Sequence, residues 1–323
     1  MNDIKWGIIG CGDVTEIKSG PAFQQVNGSR LVAVMRRNGN LAKDYAHRHH
    51  VKKWYDDAQK LIEDPEVNAV YIATPPSSHK EYTLAVASAG KPVYVEKPMA
   101  LNHNECQEMI QVCRNNDVPL FVAYYRRALP RFVKIKSLLE EGAIGKTRFA
   151  NVTFYQKTAP DDLQGAHNWR VDPDIAGGGY FYDLACHSID LLQFFFGEIK
   201  TVKGYASNQQ KLYNAEDTVS GLLLFENQIH VSYIWNFNAY SHLDRTEIVG
   251  DKGKITYSTF DNNPIILEDE QGIQQFDIEH PQHIQQPLIQ TIVDQLRGTG
   301  QCPSTGLTAA KTSWVMDSMK FED

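Results

Sequence analysis

Short apolar segments alternate with amphipathic ones through the first third of the chain. Near-continuous apolar runs predict strands, which are IKWGIIG, RLVAVM, NAVYIAT, KPVYVE and VPLFVAYY. The segments between them have helical character, and several begin at Asn, Asp or Ser; they lie near 13–26, 40–49, 56–63, 77–89 and 103–116. Strands without polar alternation are typical of a parallel sheet covered on both faces, so the pattern predicts a doubly wound α/β domain.

The pattern changes after about residue 123. A helix RFVKIKSLLEEG precedes a largely apolar helix at 177–196, and alternating strands follow that are separated by turn signals such as DKGK and DNNP. These strands predict an α+β domain with a large, mainly antiparallel, open-faced sheet, and two helices near 284–297 and 306–320 close the chain. We therefore expect two domains, residues 1–123 and 124–323.

The open face of the second sheet requires cover. A second copy of the chain is the expected partner, which predicts a homodimer or homotetramer, and the side chains that suggest it are Tyr233, Ile234, Phe237 and Tyr240.

Composition and charge narrow the classes of function. Of the 323 residues, 42% are hydrophobic, and no apolar run approaches the ~20 residues of a membrane span. The formal net charge is -7 and the basic residues are scattered, which argues against nucleic acid as a partner. No secretory signal precedes the first strand and the cysteines form no CxxC pair, so we expect a cytoplasmic protein with reduced thiols.

The first strand ends in the glycine-rich turn GIIGCGDVT. Such a turn lets the backbone approach a pyrophosphate at a helix N-terminus, which is typical of a Rossmann dinucleotide site. The third glycine of the usual motif is replaced by Thr15. A glycine turn without a ligand is the alternative. The predicted cofactor contacts are Gly10, Cys11, Gly12, Asp13 and Val14.

The second strand ends in AVMRRNGN, without the carboxylate that holds the ribose of NAD. Arg36 and Arg37 offer guanidinium groups that suit a 2′-phosphate, and Asn38 is a further donor. The sequence therefore predicts NADP(H) as the preferred cofactor, with NAD(H) possible. Two solvated arginines at a strand end are the alternative.

Two later strands end at the same predicted edge of the sheet. The strand before ATPPSSHKEY predicts cofactor contacts from Thr74, Pro75, Pro76 and His79, although His79 is equally suited to begin a helix. The strand VYVEKPMA places Glu96 and Lys97 there, and a lysine near a positively charged nicotinamide has reason to donate to a developing alkoxide.

The stretch GGGYFYDLACHSID places Asp183, His187 and Asp190 at helical offsets of four and three. Titratable groups on one buried face require partners or a chemical role. The residues alone leave a divalent-metal site, an acid/base constellation and a structural cap open.

Taken together, GxGxxT, EKP and WRVDPDIAGGGYFYDLACHSID resemble the glucose-fructose oxidoreductase and inositol dehydrogenase (Gfo/Idh/MocA) family of NAD(P)-dependent oxidoreductases. The resemblance implies that Lys97, Asp183 and His187 line the substrate site. It also implies that the Lys97–Pro98 bond is cis and that Arg126, Trp169 and Arg170 lie near the cofactor.

The implied reaction is hydride transfer between nicotinamide and a sugar, polyol or related hydroxy or keto compound. His187 is then the general acid/base, Lys97 stabilises the oxyanion and shares the proton transfer, and Asp183 orients the imidazole or binds a hydroxyl. No metal is expected, since Lys97 would repel a divalent cation. The glycines Gly177, Gly178 and Gly179 would let the backbone run close to the cofactor. A non-catalytic NADP and sugar sensor and an NAD-dependent glycosidase are the alternatives.

Overall fold

The computed structural model describes residues 3–165 and 168–319. The chain forms two compact units. One unit contains the chain up to Leu129 together with Pro281–Ser313, and the other contains Pro130–His280 together with the chain from Trp314. The sequence placed the division between 123 and 124 and assigned the closing helices to the second domain, whereas most of both helices belongs to the first unit.

The first unit is built on a six-stranded parallel sheet of order β3-β2-β1-β4-β5-β6, which confirms the doubly wound prediction. Its strands are β1 Ile4–Ile9, β2 Ser29–Met35, β3 Lys53–Tyr55, β4 Ala69–Ile72, β5 Val93–Val95 and β6 Leu120–Val122. The order reverses between β1 and β4, where ligands bind in sheets of this kind. The sequence missed β3, whose three residues are too few to show a pattern.

The helices of this unit up to its sixth strand are α1 Asp13–Ile17, α2 Ala22–Gln25, α3 Gly39–Arg48, α4 Ala58–Glu63, α5 His79–Ser88 and α6 His103–Asn115. The predicted helix over 13–26 is thus two short helices. Pro21 has no N–H to continue the first of them, and a Cβ at Gly20 would collide with the carbonyl oxygen of Thr15 and the hydroxyl of Tyr45.

The second unit is built on an eight-stranded sheet of order β14-β13-β12-β11-β7-β10-β9-β8, in which only β7 and β10 pair in parallel. Its strands are β7 Thr147–Tyr155, β8 Ile199–Ser207, β9 Thr218–Phe225, β10 His230–Asn236, β11 Leu243–Gly250, β12 Gly253–Tyr257, β13 Ile265–Asp269 and β14 Gly272–Phe276. The prediction of a mainly antiparallel sheet is confirmed.

The remaining helices are α7 Pro130–Glu140, α8 Pro160–Leu163, α9 Pro173–Ala176, α10 Cys186–Phe196, α11 Gln286–Leu296 and α12 Gly306–Asp317. The predicted helix over 177–196 is regular only in α10, because a π-helical turn at Phe181–Ala185 precedes it. Asp183 lies in that wider turn, so the simple spacing that placed it on one face with His187 and Asp190 does not hold.

The second sheet has one covered face and one exposed face. Tyr233 and Phe237 are buried on the covered side, whereas Ile234 and Tyr240 are 44% and 95% exposed. The sequence assigned all four to the open face. Within β10, the alternation of side chains explains why Tyr233 and Ile234 differ, whereas Phe237 and Tyr240 lie beyond the strand. Within the described residues, no helix combines the length and the apolar character needed to cross a bilayer.

Candidate active site

The glycine turn after β1 is bonded to the end of β2. The amides of Gly10 and Cys11 donate to the carbonyl oxygen of Met35 at 2.9 and 3.1 Å. Gly10 has φ +91°, and a Cβ there would lie 2.7 Å from Cγ2 of Thr74. The protein's own packing therefore requires Gly10.

Gly12 differs, because a Cβ there would meet no protein atom nearer than 3.9 Å. Packing within the unit does not require this glycine, so the space beside the turn is open to a ligand. Thr15 stands where the motif usually has its third glycine, and its hydroxyl donates to the carbonyl oxygen of Gly12 at 2.7 Å. The departure from the motif thus closes the turn with a side chain.

Contacts from α3 hold the helix that follows the glycine turn. The hydroxyl of Tyr45 donates to the carbonyl oxygen of Thr15 at 2.8 Å. Both terminal nitrogens of Arg48 donate to Glu16 at 2.8 Å, and Nε2 of His49 lies 2.7 Å from the same carboxylate. These contacts tie α1 to the C-terminal end of α3.

The Glu16 contacts predict a pH dependence of stability. The hydrogen bonds from Arg48 are the largest cause that lowers the pKa of Glu16, from 4.5 to about 2. Because the folded pKa is depressed, the stabilisation is present above pH 4.5 and is lost as the pH falls towards 2. We expect Glu16→Gln to lower Tm at neutral pH, with a difference from wild type that shrinks between these pH values.

Thermal unfolding across this pH range tests the expectation. Glu63→Gln is the matched control, because Glu63 is exposed and its carboxylate accepts from the side-chain amide of Gln59 one turn away. A Tm difference for Glu16→Gln that stays constant down to pH 2 would contradict the assignment.

Arg36 and Arg37 follow β2 directly, next to the glycine turn. Arg36 is half-buried and Arg37 is exposed. Burial raises the pKa of Cys11 to about 11, and the charge of Arg36 opposes this rise. The side-chain oxygen of Asn38 instead caps α3, accepting from the amides of Asn40 and Leu41. Of the three cofactor contacts predicted at the end of β2, Arg36 and Arg37 are therefore better candidates than Asn38.

The segment after β4 contains Thr74, Pro75, Pro76 and His79. The first two are half-buried and the last two are buried. Nε2 of His79 lies 2.7 Å from the carbonyl oxygen of Thr74, and Nδ1 lies 3.0 Å from that of Pro98. Burial lowers the pKa of His79, and the carbonyl oxygens of Thr74, Pro98 and Met99 oppose this fall. His79 thus joins two loops, and neither ring nitrogen is directed at a ligand.

The EKP segment follows β5, and its Lys97–Pro98 bond is cis, as the resemblance implied. The carboxylate of Glu96 is 6% exposed and accepts from the hydroxyl of Tyr71 at 2.5 Å and from the side-chain amide of Gln285 at 2.6 Å. The amide of Lys97 donates to its other oxygen at 3.2 Å. Glu96, predicted as a cofactor contact, is therefore bonded within the unit.

Gln285 lies outside the predicted set. Its side-chain oxygen accepts from the hydroxyl of Tyr94 at 2.7 Å. Burial and the charge of Glu96 raise the pKa of Tyr71 and Tyr94 well above the usual range, so both hydroxyls remain donors. Leaving a buried group of this kind unpaired costs about 1–3 kcal/mol.

In the second unit, His187 is the second residue of α10 and is 3% exposed. The edge of the Phe260 ring packs near its imidazole, with ring centroids 6.1 Å apart. The neighbouring Ser188 donates to the hydroxyl of Thr259 at 3.1 Å. The loop that contains Thr259 and Phe260 therefore fixes the start of α10.

Two buried charged residues that the sequence did not indicate hold this loop. The carboxylate of Asp244 accepts from the amides of Thr259, Phe260 and Asp261. The guanidinium of Arg131 donates to main-chain carbonyl oxygens at Ser258, Asp261 and Asn263. Burial raises the pKa of Asp244, and the three amides oppose the rise.

Asp183 is half-buried, and one carboxylate oxygen lies 3.7 Å from Nε of Arg170. The Arg170 guanidinium also stacks 4.7 Å from the ring of Trp169. Asn168 supports this turn, accepting from the amide of Arg170 and donating to the hydroxyl of Tyr180. The predicted residues Asp183, Trp169 and Arg170 thus lie together.

Arg126 belongs to the first unit. It is buried, stacks on Tyr125 at 5.0 Å and donates to the Tyr125 hydroxyl at 2.9 Å.

The glycines before α10 have reasons within the protein. Gly177 ends α9 at φ +86°, in the left-handed region. A Cβ at Gly178 would collide with the ring of Tyr182, and one at Gly179 would lie 2.7 Å from Cβ of Ala215. Packing therefore accounts for these glycines without the cofactor approach that the sequence suggested. In residues 3–165 and 168–319, no group of three or more His, Cys, Asp or Glu side chains is arranged to hold a metal.

Comparison with known proteins gives matches over most of the chain. Residues 4–124 match the model of an oxidoreductase family with an NAD-binding Rossmann fold, and residues 132–256 match the GFO/IDH/MocA C-terminal domain. The chain is 41% identical over 315 residues to Oxidoreductase P35 of Formosa agariphila, with 97% of each chain covered.

Two further comparisons concern proteins whose names state an activity. Myo-inositol 2-dehydrogenase of Thermotoga maritima is 29% identical over 275 residues, which cover 82% of this chain and 78% of that protein. The structure of levoglucosan dehydrogenase in complex with NADH and levoglucosan matches with a TM-score of 0.86 at 22% identity, covering 98% of this chain and 96% of that one. The latter shows the same fold.

Proposed function

Because the chain belongs to the GFO/IDH/MocA family of oxidoreductases, we propose that it transfers a hydride between NADP(H) and a sugar, polyol or related hydroxy or keto compound. The observation that carries the proposal is the carboxyl edge of the first sheet. The glycine turn after β1, the arginines after β2 and Lys97 after β5 all follow the carboxyl ends of parallel strands.

The residues at this edge fit a dinucleotide. The open space at Gly12 suits the close approach of a pyrophosphate to main-chain amides. Arg36 and Arg37 provide positive charge at the ribose end, and guanidinium groups bind phosphate by paired hydrogen bonds. No carboxylate occupies that position to favour a free 2′-hydroxyl. We therefore assign NADP(H) as the preferred cofactor and NAD(H) as a weaker one.

The arginine assignment predicts a change in cofactor preference. Replacing Arg36 and Arg37 together by alanine removes the charge that we assign to the 2′-phosphate. We expect the Kd of NADPH to rise by about 10- to 100-fold, corresponding to the loss of one or two charge-assisted bonds, while the Kd of NADH changes little. Titration of both cofactors by fluorescence measures the effect. An equal rise in the Kd of NADPH and of NADH would contradict the assignment of Arg36 and Arg37 to the 2′-phosphate.

Alanine substitution at Gly12 and at Gly10 of the glycine turn is expected to have different effects. Gly12→Ala meets no protein atom closely, so it should leave Tm unchanged yet weaken NADPH, because the methyl group enters the space assigned to the pyrophosphate. Gly10→Ala meets Thr74 at a positive φ and should lower Tm. Unchanged NADPH affinity in a folded Gly12→Ala protein would contradict the assigned position of the pyrophosphate.

In the proposed reaction the nicotinamide supplies or accepts the hydride. Lys97 donates a hydrogen bond to the substrate oxygen and stabilises its negative charge as it forms. His187 gives the proton to that oxygen in reduction and removes it in oxidation. Asp183 orients the imidazole or binds a hydroxyl of the substrate, and its ion pair with Arg170 restricts its carboxylate.

A polar, multiply hydroxylated substrate suits these groups. Myo-inositol and levoglucosan, named in the two comparisons, are ring compounds with several hydroxyls, and a carboxylate with a guanidinium beside it binds such hydroxyls. Absorbance of NADPH and NADH, followed with cyclic polyols, anhydrosugars and the corresponding ketones, tests the function. NADPH binding without turnover of any member would favour a sensor, and release of free sugar from a glycoside without net NADPH change would favour a glycosidase.

We propose that a second copy covers the open sheet face, where Phe149, Leu222 and Ile234 are 40%, 58% and 44% exposed. The molar mass in solution tests this. All five cysteines are buried thiols, which suits the reduced cytoplasmic environment that we propose for the protein.

A further inference from the structure

The segment Pro281–Ser313 lies beyond both matched regions of the chain, yet it packs in the first unit. Within this segment, we infer that Gln285 is a positioning residue for Lys97. The inference rests on the role proposed for Lys97. Gln285 itself touches neither substrate nor cofactor in this account, and acts through Glu96.

The side chain of Gln285 is completely buried and uses both ends of its amide. The nitrogen donates to Glu96 at 2.6 Å, and the oxygen accepts from the hydroxyl of Tyr94 at 2.7 Å. Because a carboxylate only accepts, the amide nitrogen faces Glu96, and the amide oxygen is left to the Tyr94 hydroxyl, which can donate. Gln285 is therefore oriented as a donor to the residue directly before Lys97.

Gln285 occupies the N-cap position of α11, where Ser, Thr, Asp or Asn is usual, and its side chain makes no capping bond. The main chain of the same segment is anchored to α1. The amide of Gln285 donates to the carbonyl oxygen of Lys18 at 3.1 Å, and Nδ1 of His283 lies 2.6 Å from that of Ile17. The segment thus joins the helix after the glycine turn to the EKP segment.

The EKP segment is held on both sides of Lys97. Before it, Glu96 accepts from Gln285 and Tyr71, and its other oxygen accepts from the amide of Lys97. After it, the carbonyl oxygens of Pro98 and Met99 face the buried imidazole of His79 at 3.0 and 3.3 Å. With the main chain fixed on each side, the direction in which the Lys97 side chain leaves the backbone is fixed as well. A displacement of about 1 Å at a catalytic group can lower a rate about 100-fold.

Gln285→Met tests the role, because it keeps the length of the side chain and removes both hydrogen bonds. Gln290→Met is the matched control: Gln290 lies on the same helix, and its amide bonds to Asn27 and Asp294. The first readout is hydrogen–deuterium exchange of peptides covering residues 94–101 in the full chain without cofactor. The second is kcat and KM with NADPH and the best substrate of the panel, together with the Kd of NADPH.

We expect faster exchange in 94–101 for Gln285→Met and wild-type exchange for Gln290→Met. For Gln285→Met we also expect kcat to fall by about 10- to 100-fold, while KM and the Kd of NADPH stay near wild type. Tyr71→Phe removes the other donor to the same Glu96 oxygen and should give the same pattern; combined with Gln285→Met, its effect should be less than additive. If Gln285→Met does not fold, Tyr71→Phe provides the same exchange and kcat comparison.

Unchanged exchange in 94–101 would overturn the inference, as would faster exchange with wild-type kcat, or equal losses in kcat and NADPH affinity. The exchange measurement requires no turnover. A protein that shows the expected exchange but no hydride transfer with any substrate would therefore contradict the proposed function and leave the Glu96 contact of Gln285 supported.

Discussion

Replacement of Lys97 by alanine is expected to lower kcat by about 10²- to 10⁴-fold, the range for loss of a group that transfers or holds a proton in the transition state. The Kd of NADPH should stay near wild type, because we assign cofactor binding chiefly to the glycine turn and the arginines. Tm should also change little, because the side chains of Glu96 and His79 hold the segment on both sides of Lys97.

Lys80→Ala is the matched control. Lys80 lies on α5 and pairs with Glu105 and Glu108 on α6. The Lys80→Ala substitution therefore removes a lysine from the same unit at a position outside the proposed site. Turnover by Lys97→Ala equal to that of wild type would remove Lys97 from the reaction. Loss of NADPH binding in parallel with turnover would make it a cofactor ligand instead.

Replacement of His187 by glutamine should also lower kcat by about 10²- to 10⁴-fold, because the amide can donate a hydrogen bond but cannot accept and release a proton at neutral pH. The similar size of the two side chains should preserve the packing against Phe260. Steady-state kinetics in both directions measures the loss, which we expect in reduction and in oxidation alike.

His230→Gln is the control for this substitution, since His230 is exposed at the start of β10. A His187→Gln protein with wild-type kcat in either direction would contradict the acid/base assignment. A rise in KM with wild-type kcat would indicate that His187 only binds the substrate.

The parts of the fold that the sequence predicted are those with a local signal. Apart from β3, the strands of the first sheet are largely buried and read as apolar runs, so their positions and parallel arrangement followed from the pattern. The glycine turn and the EKP segment come at strand ends, and the order of the strands then places them along one edge. The family resemblance rested partly on the same glycine turn and EKP segment, and it led to the same prediction of a dinucleotide-binding domain.

The parts that the sequence missed depend on contacts between distant positions. Gln285 reaches Glu96 across 189 positions, and the only local sign was a residue that caps helices poorly. Asp244 and Arg131 hold the Phe260 loop through main-chain groups, which carry no sequence signature. The π-helical turn before α10 was also missed, because the spacing of Asp183, His187 and Asp190 was interpreted as that of a regular helix.

We propose above all that the protein moves a hydride between NADPH and a substrate carbon. Transfer of deuterium from NADPH that carries deuterium at both positions of nicotinamide C4, followed by mass spectrometry and NMR of the reduced product, tests this directly. We expect one deuterium on the new carbinol carbon for each NADPH oxidised by wild type, and none with Lys97→Ala in the same time. NADPH oxidation that leaves the product carbon unlabelled, or no oxidation with any sugar or polyol ketone, would contradict it.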